Sequence, residues 1–376
     1  KATELLTELK NRMSVIEDEL QETFPPIVTE RWSEKTGKRL KDNVEVFNVG
    51  SRQQVAKRLE SLGVKWKRVT ETGRPVVDEG TLSEIDLPEA KLVAEFLMLQ
   101  KRVGLVSSWI DAADDKGFVH GRVISNGAVT GRMTHSSPNM GQIPSVSSPY
   151  GVECRSCWTV PEGYRLVGCD LSGIELRCLA HYMKDDEWTR ELLEGDIHTK
   201  NQLAAGLPER NMAKTMIYAT LYGAGAAKIG SIVGGGAKEG EQILENFYAN
   251  TPALRQLQAR VGRLAQNGTI KGLDGRRLHI RSERAVLNTL LQSCGAIIAK
   301  QWCVEIHKEL LRQGLTAHVM QCAFVHDEIQ MAVKEKYCEI VAKIMVDSAA
   351  KAGVELDFRV KVDAEAKTGS HWADTH

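Results

Sequence analysis

The chain has no surplus of charge of either sign, since 49 Lys and Arg residues balance 49 Asp and Glu residues among 376. The simplest argument for a nucleic-acid partner, a net-basic chain, is therefore missing. Neutrality does not oppose such a partner, because phosphate responds to local charge and a carboxylate-rich metal site can cancel a basic cleft elsewhere. No stretch of about twenty apolar residues is present and no leader pattern opens the chain, which excludes an α-helical membrane protein and makes a soluble chain the expectation. Nor do the eight cysteines form a paired framework. Cys154 and Cys157 make a single CxxC with no second pair or His pair at zinc-finger spacing, and a structural zinc is not expected on that ground. Cys169, Cys178, Cys294 and Cys303 lie in apolar runs and read as reduced thiols of an intracellular core.

What the sequence does contain centres on 166–183, LVGCDLSGIELRCLAHYM. An apolar run, Leu166 to Cys169, leads into Asp170, and Ile174, Leu176, Cys178, Leu179 and Ala180 follow at helical spacing. At 323–330, AFVHDEIQ, a second apolar run delivers Asp327 and Glu328 and continues as a tight hairpin. Each carboxylate alone reads more often as a turn residue or helix cap. Together they supply what a two-metal site needs, with ions roughly 3.5–4 Å apart serving the attacking and leaving oxygens of a phosphoryl displacement. A third stretch, RNMAKTMIYATLYGAG at 210–225, spaces Arg210, Lys214 and Tyr218 four residues apart, so that a helix carries two cations and a ring on one face before Leu221, Tyr222 and Gly223.

These three stretches resemble motifs A, B and C of the family A DNA polymerases, related to bacterial DNA polymerase I, and the resemblance is nearest to the replicative enzymes of short-tailed phages. It runs from about Phe47 to the C-terminus, with the motifs in the family's order. It implies an α+β right-hand fold: a helical thumb at 1–104, a palm with an antiparallel sheet at 105–184 and 287–376, and helical fingers at 185–286. It also implies template-directed transfer of deoxynucleoside monophosphates to a primer 3′-hydroxyl, with primer–template DNA and dNTP as partners. The expected protein is a monomer in the cytoplasm of a bacterium or of a phage's bacterial host. An exonuclease domain is not expected within this chain, and the first residue, Lys1, suggests a fragment or processed product.

The rest of the chain fits around that core. Leu6, Leu9, Met13, Ile16 and Leu20 predict a helix that Pro25 and Pro26 stop. Leu92, Phe96, Leu99 and Val103 predict a second one opening at Pro88, and the two matched seams suggest an antiparallel pair. Between them, Arg31–Asn43 is short, polar and basic, and is expected to be a loop. Thioredoxin-dependent phage enzymes carry a long basic insertion near this place, so no thioredoxin partner is expected. Ser51 is a candidate helix cap. Residues 119–144 read as strands and loops, 269–281 as a hairpin around Asp274-Gly275, and 285–302 as a long apolar helix. A charged amphipathic helix is expected near Glu339–Ala350, and a strand at Leu356–Val362.

The resemblance also assigns roles. Asp170 and Asp327, with the Leu171 carbonyl, would hold two Mg²⁺ ions, and Glu328 would support them from behind. His198, Arg210 and Lys214 would hold the triphosphate; by itself His198 reads more often as a capping or packing histidine. Glu175 would lie under the incoming sugar with Tyr218 nearby, and Tyr222 on the template side of the new pair. Arg132, Asn288, Gln292 and His326 would contact the primer–template, although amides such as Asn288 and Gln292 more commonly serve helix packing. Three other readings use parts of the same set. A two-metal nuclease has no need of the cationic helix, a single-subunit RNA polymerase is disfavoured by Glu175 beside the ribose, and an inactive DNA-binding module is disfavoured by the retained carboxylate pair.

Overall fold

The computed structural model describes residues 1–376, and the chain divides into two compact units, 1–121 with 143–157 and 122–142 with 158–376. In the first, α1 (Ala2–Thr23) packs against α4 (Pro88–Ala112), with α2 (Arg52–Ser61), α3 (Glu79–Ser83) and α5 (Gly151–Ser156) against the pair. Leu5, Leu9, Ile16 and Leu20 of α1 are buried, as are Val93, Phe96, Leu99, Val106 and Trp109 of α4, whereas Leu6, Met13, Leu92 and Val103 are only half-buried. The apolar stripe is thus broader than a two-helix seam, because α4 also receives α2 and α3. Arg12 grips Glu95 across the pair with Nε–Oε1 at 2.7 Å and Nη2–Oε2 at 2.9 Å. Pro88 opens α4, and the Ser51 hydroxyl caps α2 by accepting from the Gln54 N–H.

The segment expected to be a loop is instead an antiparallel hairpin, β1 (Ile27–Trp32) with β2 (Arg39–Glu45). Nearly all its residues are exposed on both faces. Without a buried face there is no alternation to read, and the pairing comes from backbone hydrogen bonds that polarity does not report.

The second unit opens with a small hairpin, β3 (Arg122–Ile124) and β4 (Thr134–Ser136), and is built around an antiparallel sheet in the order β10–β5–β9–β8. Here β5 is Tyr164–Leu171, β8 Val319–Val325, β9 Glu328–Lys334 and β10 Ala364–Gly369. Leu166, Val167, Gly168 and Cys169 are all buried, which is why β5 reads as a continuous apolar run. A succession of helices follows β5: α6 (Ile174–Met183), α7 (Asp186–Glu194), α8 (Ile197–Ala205), α9 (Arg210–Leu221), α10 (Ala226–Ser231), α11 (Ala237–Asn250) and α12 (Pro252–Leu264). The glycine-rich stretch between α10 and α11 is structural. A Cβ on Gly230 would lie 1.8 Å from the Gly236 carbonyl oxygen, and one on Gly240 1.8 Å from that of Ala226, so these helices meet backbone to backbone.

The expected hairpin is β6 (Thr269–Lys271) with β7 (Arg277–His279), its Asp274-Gly275 turn using Gly275 at φ +81°. Then α13 (Val286–Arg312) runs through the core, burying Trp302, whose indole N–H donates to the Met345 carbonyl of α14 (Cys338–Glu355) at 2.7 Å. The strand expected at Leu356–Val362 is not a strand; the last one is β10 at Ala364–Gly369. Phe358, Val360 and Val362 do alternate into the core, and Val362 lies against Gly353 at the end of α14. They bury side chains at strand period without sharing a hydrogen-bond ladder. All eight cysteines are free thiols, with Cys169, Cys178 and Cys294 buried and Cys303 half-buried. No helix is long and apolar enough to cross a membrane.

Candidate active site

The sheet lines up acidic side chains. Asp170, next to last in β5, pairs with Glu328 of β9 on one side and Glu365 of β10 on the other, which puts three carboxylates in a row on one face. Like charges directly opposite one another weaken a sheet. The fourth, Asp327, stands in the two-residue turn between β8 and β9, and its carbonyl accepts the Leu171 N–H at 3.0 Å, which ties the two acidic chain segments together. His326 takes the left-handed conformation in this turn, φ +59°, a conformation uncommon outside glycine.

The electrostatics follow from this crowding. Burial, then Asp327, then Glu328 push the Asp170 carboxyl up to about 7. Asp170 is nonetheless exposed to solvent, between the buried Cys169 and Leu171. Burial also raises Asp327, against the opposing pull of Arg132. Glu328 goes the other way: burial alone would raise it, but hydrogen bonds from His376, Trp372 and Gln330 hold it below its ordinary range. Gln330 Nε2 donates to Glu328 Oε1 at 2.6 Å, the Trp372 indole N–H donates to the same oxygen, and His376 Nδ1 lies 3.3 Å from Oε2. Glu328 is thus clamped and 6% exposed, while Asp170 and Asp327 crowd each other.

A second cluster gathers on α9 and α8. Burial, then Arg210 and Lys214, lower the pKa of His198, and its ring centroid stands 6.5 Å from that of Tyr218. Tyr218 links this cluster to the acids, since burial first and then the charges of Glu175 and Asp327 raise its hydroxyl's pKa. Glu175, in the first turn of α6, accepts from the Tyr222 hydroxyl at 2.9 and 3.1 Å and lies 3.4 Å from Arg132 Nη2. Burial, then Glu175, push the Tyr222 hydroxyl up to about 12. The tyrosine bonded to Glu175 is therefore Tyr222 at the end of α9, and the Tyr218 hydroxyl one turn earlier has no protein hydrogen-bond partner. Asn288 and Gln292 share one face of α13, half-buried, and their amides make no protein hydrogen bonds, unlike amides spent on helix packing.

Some participants escaped the sequence reading. Asp196 caps α8 and grips Arg210; its place just before Ile197 and His198 carries a cap signal that could have found it. Glu365 sits on a strand expected several residues earlier. Trp372 and His376 reach Glu328 from 44 and 48 residues downstream, and no local pattern announces such a contact.

A sheet that presents opposed carboxylates beside a helix of cations defines a class of nucleotide-handling folds, and comparison with known proteins narrows it to one family. The family model described as DNA polymerase family A matches residues 20–374. The chain is 40% identical over 375 residues to the DNA-directed DNA polymerases of Enterobacteria phage T3 and Escherichia phage T7, covering 88% of this chain and 53% of each relative. To DNA polymerase I of Pseudomonas aeruginosa it is 28% identical, covering 88% of this chain and 39% of the relative. Among solved structures, the POL domain of Pol1 from M. smegmatis, in complex with DNA primer-template and dNTP, superposes with a TM-score of 0.85 at 20% identity, covering 99% of this chain and 66% of that one. The chain belongs to DNA polymerase family A and has the fold of its polymerase domain. It spans about half the length of the phage relatives. Family A DNA polymerases are metal-dependent enzymes.

Proposed function

We propose that this chain is the polymerase part of a DNA-directed DNA polymerase, adding deoxynucleoside monophosphates from dNTPs to a primer 3′-hydroxyl as the template directs. The observation that carries this reading is Tyr218, which feels the acids Glu175 and Asp327 on one side and stands beside His198 on the other, so that the acidic row and the cationic helix serve one substrate. In this reading 1–104 is the thumb, 105–184 with 287–376 the palm, and 185–286 the fingers.

Asp170 and Asp327 fit a pair of Mg²⁺ ions. They are oxygen donors, and burial first, then the charge of Asp327, forces the Asp170 carboxyl up to about 7, a penalty on the ionised form that hard divalent cations relieve. The Leu171 carbonyl would be a further ligand. When bound, the ions lower the pKa of the attacking hydroxyl and neutralise the leaving phosphates. Glu328, clamped by Trp372 and Gln330, keeps the turn that carries Asp327 in place. His198, Arg210 and Lys214 hold the triphosphate, where fixed cations stabilise charge spread over its oxygens in the transition state. Arg132, Asn288, Gln292 and His326 face the primer end of the duplex, where minor-groove acceptors are nearly alike for all pairs and geometry can be tested without reading sequence. Tyr222 borders the nascent pair, and closure of the fingers completes the site for a correctly shaped pair. The protein acts as a monomer on primer–template DNA. Thioredoxin has no role in this reading, since a short hairpin lies between α1 and α2.

Extension of a labelled primer with dNTPs and Mg²⁺ tests the proposal. Growth dictated by the template supports it. Primer shortening points to a nuclease, preference for ribonucleotides to an RNA polymerase, and an unchanged primer to a binding module. A second result concerns Glu175, which Tyr222 and Arg132 hold under the incoming sugar. Removing the carboxylate in Glu175→Ala opens space for a 2′-hydroxyl, so discrimination against ribonucleotides is expected to fall about tenfold, the scale of one misfitted polar contact. Normal synthesis should slow as well, because Tyr222 and Arg132 lose their shared partner. Competition between a ribo- and a deoxynucleotide opposite one template base measures this, and unchanged discrimination would contradict the placement.

A further inference from the structure

We infer that Asp196 is the positioning residue of the triphosphate site, orienting Arg210 and His198 from a single carboxylate. The inference rests on the polymerase reading above. Asp196 Oδ1 accepts the backbone N–H of His198 at 3.1 Å and of Thr199 at 3.4 Å, which caps α8 and sets where His198 leaves the helix. Its Oδ2 accepts the Thr199 hydroxyl at 2.9 Å. The same two oxygens grip the first residue of α9: Arg210 Nε donates to Oδ2 at 2.6 Å and Nη2 to Oδ1 at 3.1 Å. Asp196 is itself anchored, for its N–H donates to Glu191 Oε1 of α7 at 2.9 Å. One chain of contacts therefore runs from α7 through Asp196 to the starts of both α8 and α9.

A carboxylate beside a site for a triphosphate works against binding by charge alone, so its presence needs another benefit. Stability does not require the charge, because asparagine would cap α8 as well and the ion pair, with the side chains of Arg210 and Asp196 48% and 43% exposed, contributes little. Orientation is. A guanidinium has five N–H donors in a rigid fork. Asp196 takes the Nε–Nη2 edge and leaves the Nη1 end for phosphate. The arginine's rotamers are thus restricted before the nucleotide arrives, which reduces what binding must spend on ordering it. The Arg210 hydrogen bond also holds the Asp196 carboxyl well below the usual range, so the grip persists across working pH.

The test compares Asp196→Asn, Arg210→Ala and the double variant of the full chain in steady-state primer extension at saturating primer–template. Asparagine caps helices about as well as aspartate, so α8 keeps its start while the charged grip is lost. Asp196→Asn should raise the KM for dNTP about tenfold, the worth of one charge-assisted hydrogen bond, with the primer–template Kd unchanged. In the Arg210→Ala background the same substitution should add less than about twofold, because its effect runs through the missing arginine. An unchanged or lowered KM for Asp196→Asn overturns the inference. So does a tenfold rise that persists without Arg210, which would mean that Asp196 acts through the helix alone. Absence of extension by the unsubstituted chain would instead overturn the polymerase reading itself.

Discussion

Asp170→Asn and Asp327→Asn are each expected to lower single-turnover primer extension by at least roughly 10⁴-fold, since metal ions supply several kcal/mol of transition-state charge stabilisation and each 1.36 kcal/mol is tenfold in rate. Asparagine preserves shape and an oxygen donor while removing the charge that holds a dication. Duplex affinity should stay within about threefold, because grip depends on phosphate contacts elsewhere. Folding should not suffer either. Asp170 faces Glu328 and Glu365 across the sheet and is pushed upward by burial and then by Asp327, so deleting one negative charge relieves both the desolvation of a charge and the repulsion. Without added Mg²⁺ the variants should melt no lower than the unsubstituted protein. Loss of activity with no loss of thermal midpoint is the signature of a site arranged for its metals at the expense of local stability. Near-normal extension by either variant would remove these residues from the metal site.

The second large effect is expected at Tyr218. Its hydroxyl has no protein partner, whereas the Tyr222 hydroxyl one turn away is bonded to Glu175. An incoming nucleotide without a 3′-hydroxyl leaves a polar gap next to the triphosphate, and an unpaired buried group costs about 1–3 kcal/mol. In the polymerase reading proposed above, the Tyr218 phenol is the group that would fill this gap. The unsubstituted protein should therefore take dideoxynucleotides almost as readily as deoxynucleotides, and Tyr218→Phe should raise selectivity against them roughly ten- to a hundredfold. Competition between the two nucleotides opposite one template base measures the ratio. Strong discrimination before substitution, or none gained after it, would show that Tyr218 faces away from the sugar.

Asp170, Asp327, Arg210, Lys214 and Tyr218 were legible along the chain because each belongs to a local signal. An apolar run ending in a carboxylate marks a buried strand reaching an edge, and a four-residue spacing marks one face of a helix. The long helices at Ala2–Thr23, Pro88–Ala112 and Val286–Arg312 and the turn at Asp274-Gly275 were legible on the same grounds. Signals failed where burial and hydrogen bonding part company. The β1–β2 hairpin is a ladder without a buried face, and Phe358–Val362 is a buried alternation without a ladder.

Sequence by itself determined the family, the metal-binding candidates and the helix that carries the cations, since these reside in short stretches whose chemistry and period are local. Tertiary structure alone decided which groups meet. Pairing of β5 with β9 and β10 put Glu328 and Glu365 on either side of Asp170. The chain's end closed over Glu328 through Trp372 and His376. Helix packing gave Glu175 to Tyr222 and Arg210 to Asp196. Such contacts join side chains from 14 to 195 residues apart, and their energy depends on distances through space that no spacing along the chain encodes.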